Sequence, residues 1–391
     1  MLGDLNYLPV NWIDGMKISK LHFDQTGQYL QEQLRDVSAQ HLTAYNFGLL
    51  AAEGSFEINV FCDFSQQINI ELNACKAVTA NGCRIQLLSN DPIKLNTNFK
   101  EVAKKFNLQT SQSQSLFIVL TVNVFERIPV GEPLMNENPP RHPFTKADVK
   151  LDLVPAEQVN LGQLQTSLVL GKIVYQNGDL IYQKDYIPPC SSIASLPALE
   201  QWHRNFRQQL ENWEQYCTRI IQKINSKTQQ QQATTLSASI LKLSENMLKY
   251  LSSQKLYNQW IISQAAPVHL FVFLLSNIQY INTLLVCYTE KEREEMLNYF
   301  AEWTDVQAGS IELATTKSLQ LQYNHFDIQL VFTEIGQIYQ LYIQIFQKLS
   351  LLDFIGKKKG QNIFVIEQEV KETKPQNPPQ EKPNTRWSPL S

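Results

Sequence analysis

The apolar periodicity of this chain changes once, at Pro188-Pro189, and that change constrains the fold more than any other feature. Before it, apolar residues alternate in short runs, as in Ser55–Phe61 and Gln67–Leu72, the pattern of half-buried strands. Asn81-Gly82 separates Cys75–Ala80 from Cys83–Leu88, and Asn177-Gly178 separates Ser167–Tyr175 from Leu180–Tyr186. Both dipeptides predict type I′ hairpins. Leu116–Phe125 is a β-branched run, followed by a Pro-rich loop from Ile128 to Pro143. Short strands punctuated by turns in this way predict a β-sandwich.

After Pro188-Pro189 the spacing becomes three and four. Leu199, Trp202, Phe206, Leu210, Trp213, Cys217, Ile220 and Ile224 form one seam. Leu236, Ile240, Leu243, Met247 and Tyr250 form a second. An uncharged helix from Pro267 to Tyr288, a charged one from Glu290 to Trp303 and a last one from Gln322 to Leu352 complete an antiparallel bundle. Gln229–Gln232 reads as a polar linker between the seams. The fold class is therefore α+β, a β-sandwich followed by an elongated helical bundle.

The two ends read differently. Residues 1–18 are extended, and 19–44 form a helix capped by Ser19, with Phe23, Leu30, Leu34 and Val37 on one stripe and Gly27 interrupting it. Lys357–Lys359 reads as a turn leading to a strand from Asn362 to Val370. The segment Lys371–Ser391 carries five prolines and few apolar groups, so disorder is expected there. The organisation is thus an arm, helix and sandwich over 1–190, a bundle over 191–353, a short β stub over 354–370 and a tail over 371–391.

Composition narrows the function. Charged residues make up only 18% of the chain, while 41 Gln and 28 Asn carry much of its polarity. A net charge of −3 without a basic stripe argues against nucleic-acid binding, which needs clustered cations to displace counterions. Fourteen glycines in 391 residues argue against glycine-lined phosphate loops. The cysteines at 62, 75, 83, 190, 217 and 287 have no CxxC spacing, so no zinc site is expected. No basic and apolar leader opens the chain, and free thiols in a reducing cytoplasm are expected. Leu256–Thr289 lacks charge, but Asn277, Gln279 and Asn282 interrupt it. It reads as a buried bundle helix rather than a membrane span.

Catalytic signatures do not occur: neither GxxxxGK[ST], GxGxxG, HExxH nor GxSxG is present. The histidines at 22, 41, 142, 203, 269 and 325 are scattered. His22 reads as a helix-start residue on a core edge. His142 lies in a rigid Arg-His-Pro-Phe loop that either packs back on the sandwich or stacks on a partner. No enzyme activity and no cofactor are expected.

One resemblance remains. The stretch from Trp12 through Asp14, Gly15 and Met16 to His22-Phe23 resembles the opening signature of the TssK family of type VI secretion baseplate subunits. Tyr45–Leu49 is similar to that family's aromatic-Gly step into its first strand. Tyr186-Ile187-Pro188-Pro189-Cys190, followed by Ile193-Ala194-Ser195 and Leu199, is similar to its exit from sandwich to neck. Tyr323-Asn324-His325 with Phe332 resembles the step into a late neck helix. Together these span about residues 9–353.

The resemblance implies a non-catalytic, homotrimeric adaptor at the cytoplasmic face of the inner membrane. Its sandwich would be a shoulder akin to that of phage receptor-binding proteins, holding the TssF–TssG wedge. Trp12, Gly15, Met16, His22 and Phe23 would anchor the arm, on the chain's own core or on the wedge. Leu199, Trp202, Phe206, Leu210, Trp213, Leu236, Ile240, Leu243 and Met247 would serve trimer association. The family's C-terminal head, which reaches TssJ, TssL and TssM, has too little chain here, as expected for the subtype lacking those proteins. Arg386, Trp387, Pro389 and Leu390 are then either a linear motif for another membrane-side partner or part of an inert tail. No nucleic acid and no membrane insertion are expected. The alternative is a phage-like tail receptor-binding or adaptor protein.

Overall fold

The computed structural model describes residues 6–356 except 88–91, 110–111, 161, 163, 230–233 and 305. The expected linker at 230–232, the turn at 357–359, the strand at 362–370 and the tail with Arg386, Trp387, Pro389 and Leu390 lie outside the described residues. An arm (6–18) leads into helix α1 (Lys20–Ala39), followed by strands β1 (Gly48–Leu49), β2 (Phe56–Cys62), β3 (Gln67–Val78), β4 (Arg84–Leu87) and β5 (Ile93–Asn98). A short helix α2 (Phe99–Phe106) precedes β6 (Gln114–Val130), β7 (Phe144–Pro155), β8 (Ser167–Gln176) and β9 (Asp179–Tyr182). Five helices follow: α3 (Pro197–Gln229), α4 (Thr235–Trp260), α5 (Pro267–Val286), α6 (Glu290–Trp303) and α7 (Ala308–Gln320). The last described helix is α8 (Ile328–Leu351).

Among the described residues the strands form two antiparallel sheets. In one, β3 pairs with β1, β2, β4 and β5; the other has the order β7-β6-β8-β9. Ile68, Ile70 and Leu72 of β3 and Leu116, Ile118 and Leu120 of β6 meet in one buried cluster. β6 also buries its other face, where Phe117 and Val119 pack with Val169 and Leu164 under Tyr186 and Phe326. Burial on both faces explains why this strand reads as a continuous apolar run rather than an alternation.

The structure corrects several expected boundaries. Gln67–Leu72 and Cys75–Ala80 are one strand, because β3 is the hub for four others. The Asn177-Gly178 turn has φ +53° and +94°, as type I′ requires. At Asn81-Gly82 only Gly82 has positive φ, and Thr79 N–H bonds Cys83 O at 3.0 Å. That turn is a three-residue loop ending in a left-handed glycine, not a type I′ hairpin. The Pro-rich loop begins after Val130, since β6 runs on as a ribbon with β7. α1 ends at Ala39 instead of 44 and runs unbroken through Gly27. β5, α2, β7 and α7 are further elements; Phe99, Val102, Ala103 and Phe106 of α2 have helical spacing, and Val149, Leu151 and Leu153 of β7 alternate with charged residues.

In the bundle, α8 is the centre. Trp213 of α3 packs against Tyr339, Tyr342 and Phe346 of α8, with ring centroids 5.3–6.3 Å apart. Leu199, Phe206, Leu210, Trp213, Leu236, Ile240, Leu243 and Met247 are each only 0–4% exposed within the single chain. Trp202 is half-buried and donates its indole N–H to Gln329 at 3.1 Å. Eight of these nine residues therefore belong to the chain's own core, and Trp202 alone among them keeps part of its surface open. α5 is long and apolar enough to cross a membrane, yet half of its apolar window is buried inside the chain. Its Asn282 accepts a hydrogen bond from the Tyr342 hydroxyl and donates to Ser318 Oγ at 3.4 Å.

Sheets and helices are tied together by the loop before α8. His325 Nε2 meets the Phe47 carbonyl at 2.9 Å, and its Nδ1 meets the Tyr323 hydroxyl at 2.8 Å. A carbonyl can only accept, so Nε2 carries the proton and Tyr323 donates to Nδ1. Tyr186 donates to Phe326 O at 2.6 Å, and Lys172 pairs with Asp327 at 2.6 Å. On the other side of this junction Leu49 N–H bonds Pro189 O at 2.8 Å. Gly48 there has φ +117°, and a Cβ would lie 2.0 Å from the Pro189 oxygen, so only glycine fits.

Burial pushes the His325 imidazole down from 6.5 to about 4, although its bond to Phe47 O opposes this. The unfolded chain therefore binds the proton first. The neutral ring's contribution is complete above about pH 6.5 and is lost as pH falls towards 4, roughly 3 kcal/mol over that window. Chemical denaturation should show stability falling between pH 6.5 and 5. His325→Gln, whose amide can keep both bonds, should flatten that slope. Equal slopes in the two proteins would remove His325 as its source.

Candidate interaction surface

Five of the six cysteines and two of the histidines are held inside the fold, while Cys287 is exposed. Burial raises the Cys62 thiol to about 11 and the Cys75 thiol to about 12, and pushes up Cys83, Cys190 and Cys217 as well. These thiols stay protonated and unreactive. Among the described residues no group of His, Cys, Asp and Glu could hold a metal. His142 Nδ1 sits 2.7 Å from Gly131 O, so its ring packs back on its own loop. His203 bonds Asn258 between α3 and α4 at 3.0 Å.

The arm and α1 build a different kind of site. Met16 N–H bonds Ile13 O at 3.3 Å, closing a four-residue turn with Gly15 at φ +79°. Positive φ at the third position is what a type II turn requires. The turn sends the chain back, and Trp12 then lies on His22 (5.8 Å, edge-on) and Phe23 (6.3 Å). Ser19 caps α1, and His22 stands at the N3 position, its Nδ1 accepting from Ser19 N–H at 3.1 Å. A histidine here does the work that glutamate does in the usual capping box. Trp12, Gly15, Met16, His22 and Phe23 are thus one local unit. Trp12 and Phe23 remain exposed rather than packed on a core.

α1 lies on the sandwich by its polar side. Glu32 is completely buried. Its carboxylate accepts from Tyr7 N–H at 2.9 Å, Asn6 N–H at 3.0 Å and Asn6 Nδ2 at 3.3 Å, and pairs with Arg35 at 3.3 Å. Burial alone would raise its pKa, but the backbone donors of Tyr7 and Asn6, the Asn6 side chain and Arg35 outweigh burial and lower it. Gly82 accepts the far end of α1, since a Cβ there would lie 2.4 Å from Arg35 O. Arg127 of β6 bonds Gln31 at 3.1 Å, and Tyr7 packs on Phe125 at 4.6 Å. An open cleft of about 470 Å³ separates arm from helix, with Tyr7, Val10, Met16 and His22 in its walls.

Seated this way, α1 turns its apolar stripe outward. Phe23, Leu30, Leu34 and Val37 are 54–69% exposed, and Ile13, Ile18 and Leu21 near its start are similarly open. Gly27 sits on the same stripe with nothing within 4 Å of where a Cβ would be. An exposed apolar strip of this length on a folded chain marks an interaction surface. Sequence reasoning found the stripe but could not tell which way it faces. It missed Glu32, because one carboxylate on a polar helix face carries no signal of its own.

No family model matches the chain, and neither does any curated protein. Solved structures do. The fold is similar to that of TssK. A crystal structure of TssK shares 14% identity over 86% of this chain and 68% of that one, with a TM-score of 0.47. TssK from EAEC in complex with nanobody nb18 shares 13% over 83% and 99%, with a TM-score of 0.43. The chain in the TssK–TssF–TssG baseplate subcomplex solved by cryo-electron microscopy shares 13% over 86% and 99%, with a TM-score of 0.44. Identity at this level transfers no residue roles.

Glu32→Ala would leave the Asn6 and Tyr7 amides without their acceptor. Bonds to a charged acceptor contribute about 1.5–3 kcal/mol each. Hydrogen exchange at those two amides should therefore quicken at least about tenfold, while α3 and α8 amides keep their protection. Unchanged exchange at Tyr7 would show that the arm is held by something other than Glu32.

Proposed function

We propose that this chain is a non-catalytic structural adaptor of the TssK type in a type VI secretion baseplate, working in the cytoplasm beside the inner membrane. The observation that carries the reading is the outward-facing apolar surface of the arm and α1, whose Trp12, Met16 and Phe23 also belong to the sequence resemblance. Its partner in this reading is the TssF–TssG wedge, with Trp12, Met16 and Phe23 at one end and Leu30, Leu34 and Val37 along the helix. Desolvating such side chains contributes about 1.5–3 kcal/mol each when burial is complete. An adaptor needs surface rather than chemistry, and the five thiols that burial keeps protonated and the bonded His203 and His325 suit that role.

The homotrimer of this reading uses surface outside the seams. Leu256, Tyr257, Trp260 and Ile261 at the end of α4 are 41–69% exposed, and their spacing of four sets Leu256 with Trp260 and Tyr257 with Ile261 on neighbouring turns, with residue types that anchor interfaces among them. The proposed membrane-side contact belongs to the tail around Arg386, Trp387, Pro389 and Leu390. Three copies of a weak tail motif would gain avidity by linkage.

The test is reconstitution of the purified full chain with co-expressed TssF and TssG. The wild-type chain should co-elute with both. Leu30→Glu with Leu34→Glu should weaken binding at least about 30-fold, a loss of roughly 2 kcal/mol, with an unchanged melting temperature because both side chains are exposed. Trp260→Glu with Ile261→Glu should shift the sedimenting species from trimer to monomer. Failure of the wild-type chain to bind TssF–TssG would overturn the reading.

A further inference from the structure

A second apolar feature stands away from the arm, at the opposite end of β3. The turn between β2 and β3 carries Phe64, which is fully exposed, with Phe61 beside it at 63%. α1 rests on the turn that follows β3, so the 12 residues of that strand, roughly 3.3 Å each, separate the two sites by about 35–40 Å.

The turn that presents Phe64 is braced from every side. Asp63 Oδ1 accepts from Ser65 Oγ and from Gln67 N–H, both at 2.8 Å. Gln66 N–H bonds Asp63 O at 3.1 Å, and Gln66 takes φ +63° to close the loop. Asn98 donates to Ser65 O at 3.1 Å, and Phe99 N–H reaches Gln66 O at 3.0 Å. Gln66 Nε2 reaches across to Gly178 O at 3.1 Å, fixing the turn to the other sheet. Leaving a bulky apolar side chain in water has no folding benefit. Holding its backbone fixed there lowers the ordering cost that association would otherwise carry.

The surroundings specify the partner. Asp63 sits in the turn, and its hydrogen bonds from Ser65 and Gln67 hold its carboxyl below the usual range, hence ionised. Asp179, exposed, follows the Gly178 that Gln66 touches. Glu101 is exposed on the first turn of α2, whose cap Asn98 braces Ser65, with Lys100 beside it. Three carboxylates against one lysine make the rim acidic. The sheet face behind it is neutral: Phe61 aligns with Asn69 and Asn96, and Glu71 is paired with Lys94 at 2.8 Å. A symmetric contact with a second copy would set Asp63 and Asp179 against themselves, which costs energy.

We propose that Phe64 is an aromatic anchor for another protein, one that offers an apolar socket with a Lys/Arg rim. The turn is a docking point distinct from the arm and α1 surface and independent of the partner proposed for it. Phe64 fills the socket, Phe61 extends the apolar contact, and Asp63 and Asp179 face the basic rim.

The probe is the photo-crosslinking residue p-benzoylphenylalanine placed at position 61 of the full chain, in the cells that make it, with mass-spectrometric mapping of the crosslinked peptide. The expected product joins position 61 to a segment of a different protein in which apolar residues are flanked by Lys or Arg. Adding Phe64→Ala should lower its yield about tenfold or more, and Asp179→Asn should lower it to a lesser degree. The melting temperature of Phe64→Ala should equal that of wild type. No crosslink, a crosslink only to a second copy, a mapped segment without basic residues, a yield indifferent to Phe64→Ala or a lowered melting temperature would each overturn the proposal.

Discussion

The junction around His325 is the contact on which the two structural parts of the molecule depend. A sheet that starts at Gly48 and a helix that starts at Ile328 are far apart in sequence, and the polar groups between them are buried. The Phe47 carbonyl needs a donor, because an orphaned buried backbone group costs as much as a lost hydrogen bond. His325 supplies that donor with one nitrogen and is itself oriented by Tyr323 through the other. In the same loop the Phe326 carbonyl takes the Tyr186 hydroxyl and Asp327 takes Lys172. A short run of residues thus satisfies groups from three parts of the sandwich while starting the central helix of the bundle. The neutrality of the imidazole follows from this position, since a charge there would be buried against Phe47 with no anion beside it.

That dependence also sets what could be read beforehand. Where a segment is specified by its own pattern, the sequence was legible: α6 begins at Glu290 and ends at Trp303 as its caps and periodicity indicate, and Asn177-Gly178 makes the turn its dipeptide demands. Where a segment is specified by what lies across from it, the sequence was less legible. α7 owes its place to one narrow buried stripe of Ile311, Ala314 and Ser318, and β7, although Val149, Leu151 and Leu153 alternate with charged residues, takes its extent from its pairing with β6. The arm residues Trp12, Gly15, Met16, His22 and Phe23 were named through the family resemblance, which one contiguous stretch can carry, and their turn, cap and ring contacts all lie within a dozen positions. Glu32 was not, because its partners Asn6 and Tyr7 come from 25 and 26 residues away.

α1 shows why periodicity alone cannot assign a face. An amphipathic helix on a monomer ordinarily buries its apolar side. Here the seat offered to it is polar and narrow: a glycine turn, the Arg127 guanidinium and the amides of the arm. Burying Glu32 is tolerable because four N–H contacts and Arg35 replace its water. The outward stripe then has no role in the fold of the single chain.

The buried seams carry the argument one step further. Had Leu199 through Met247 been left open, the bundle would have needed its copies in order to fold, and no stable protomer would exist. Eight of the nine residues expected to serve trimer association are covered within the single chain, with Trp202 half-buried, so the core is nearly finished before any association. In the proposed reading, assembly would act on surfaces that folding leaves alone: the α1 stripe, the end of α4 and the Phe64 turn. A protomer whose core is its own could then join a larger structure in steps, because losing any one of these contacts would return it to a folded state rather than an unfolded one.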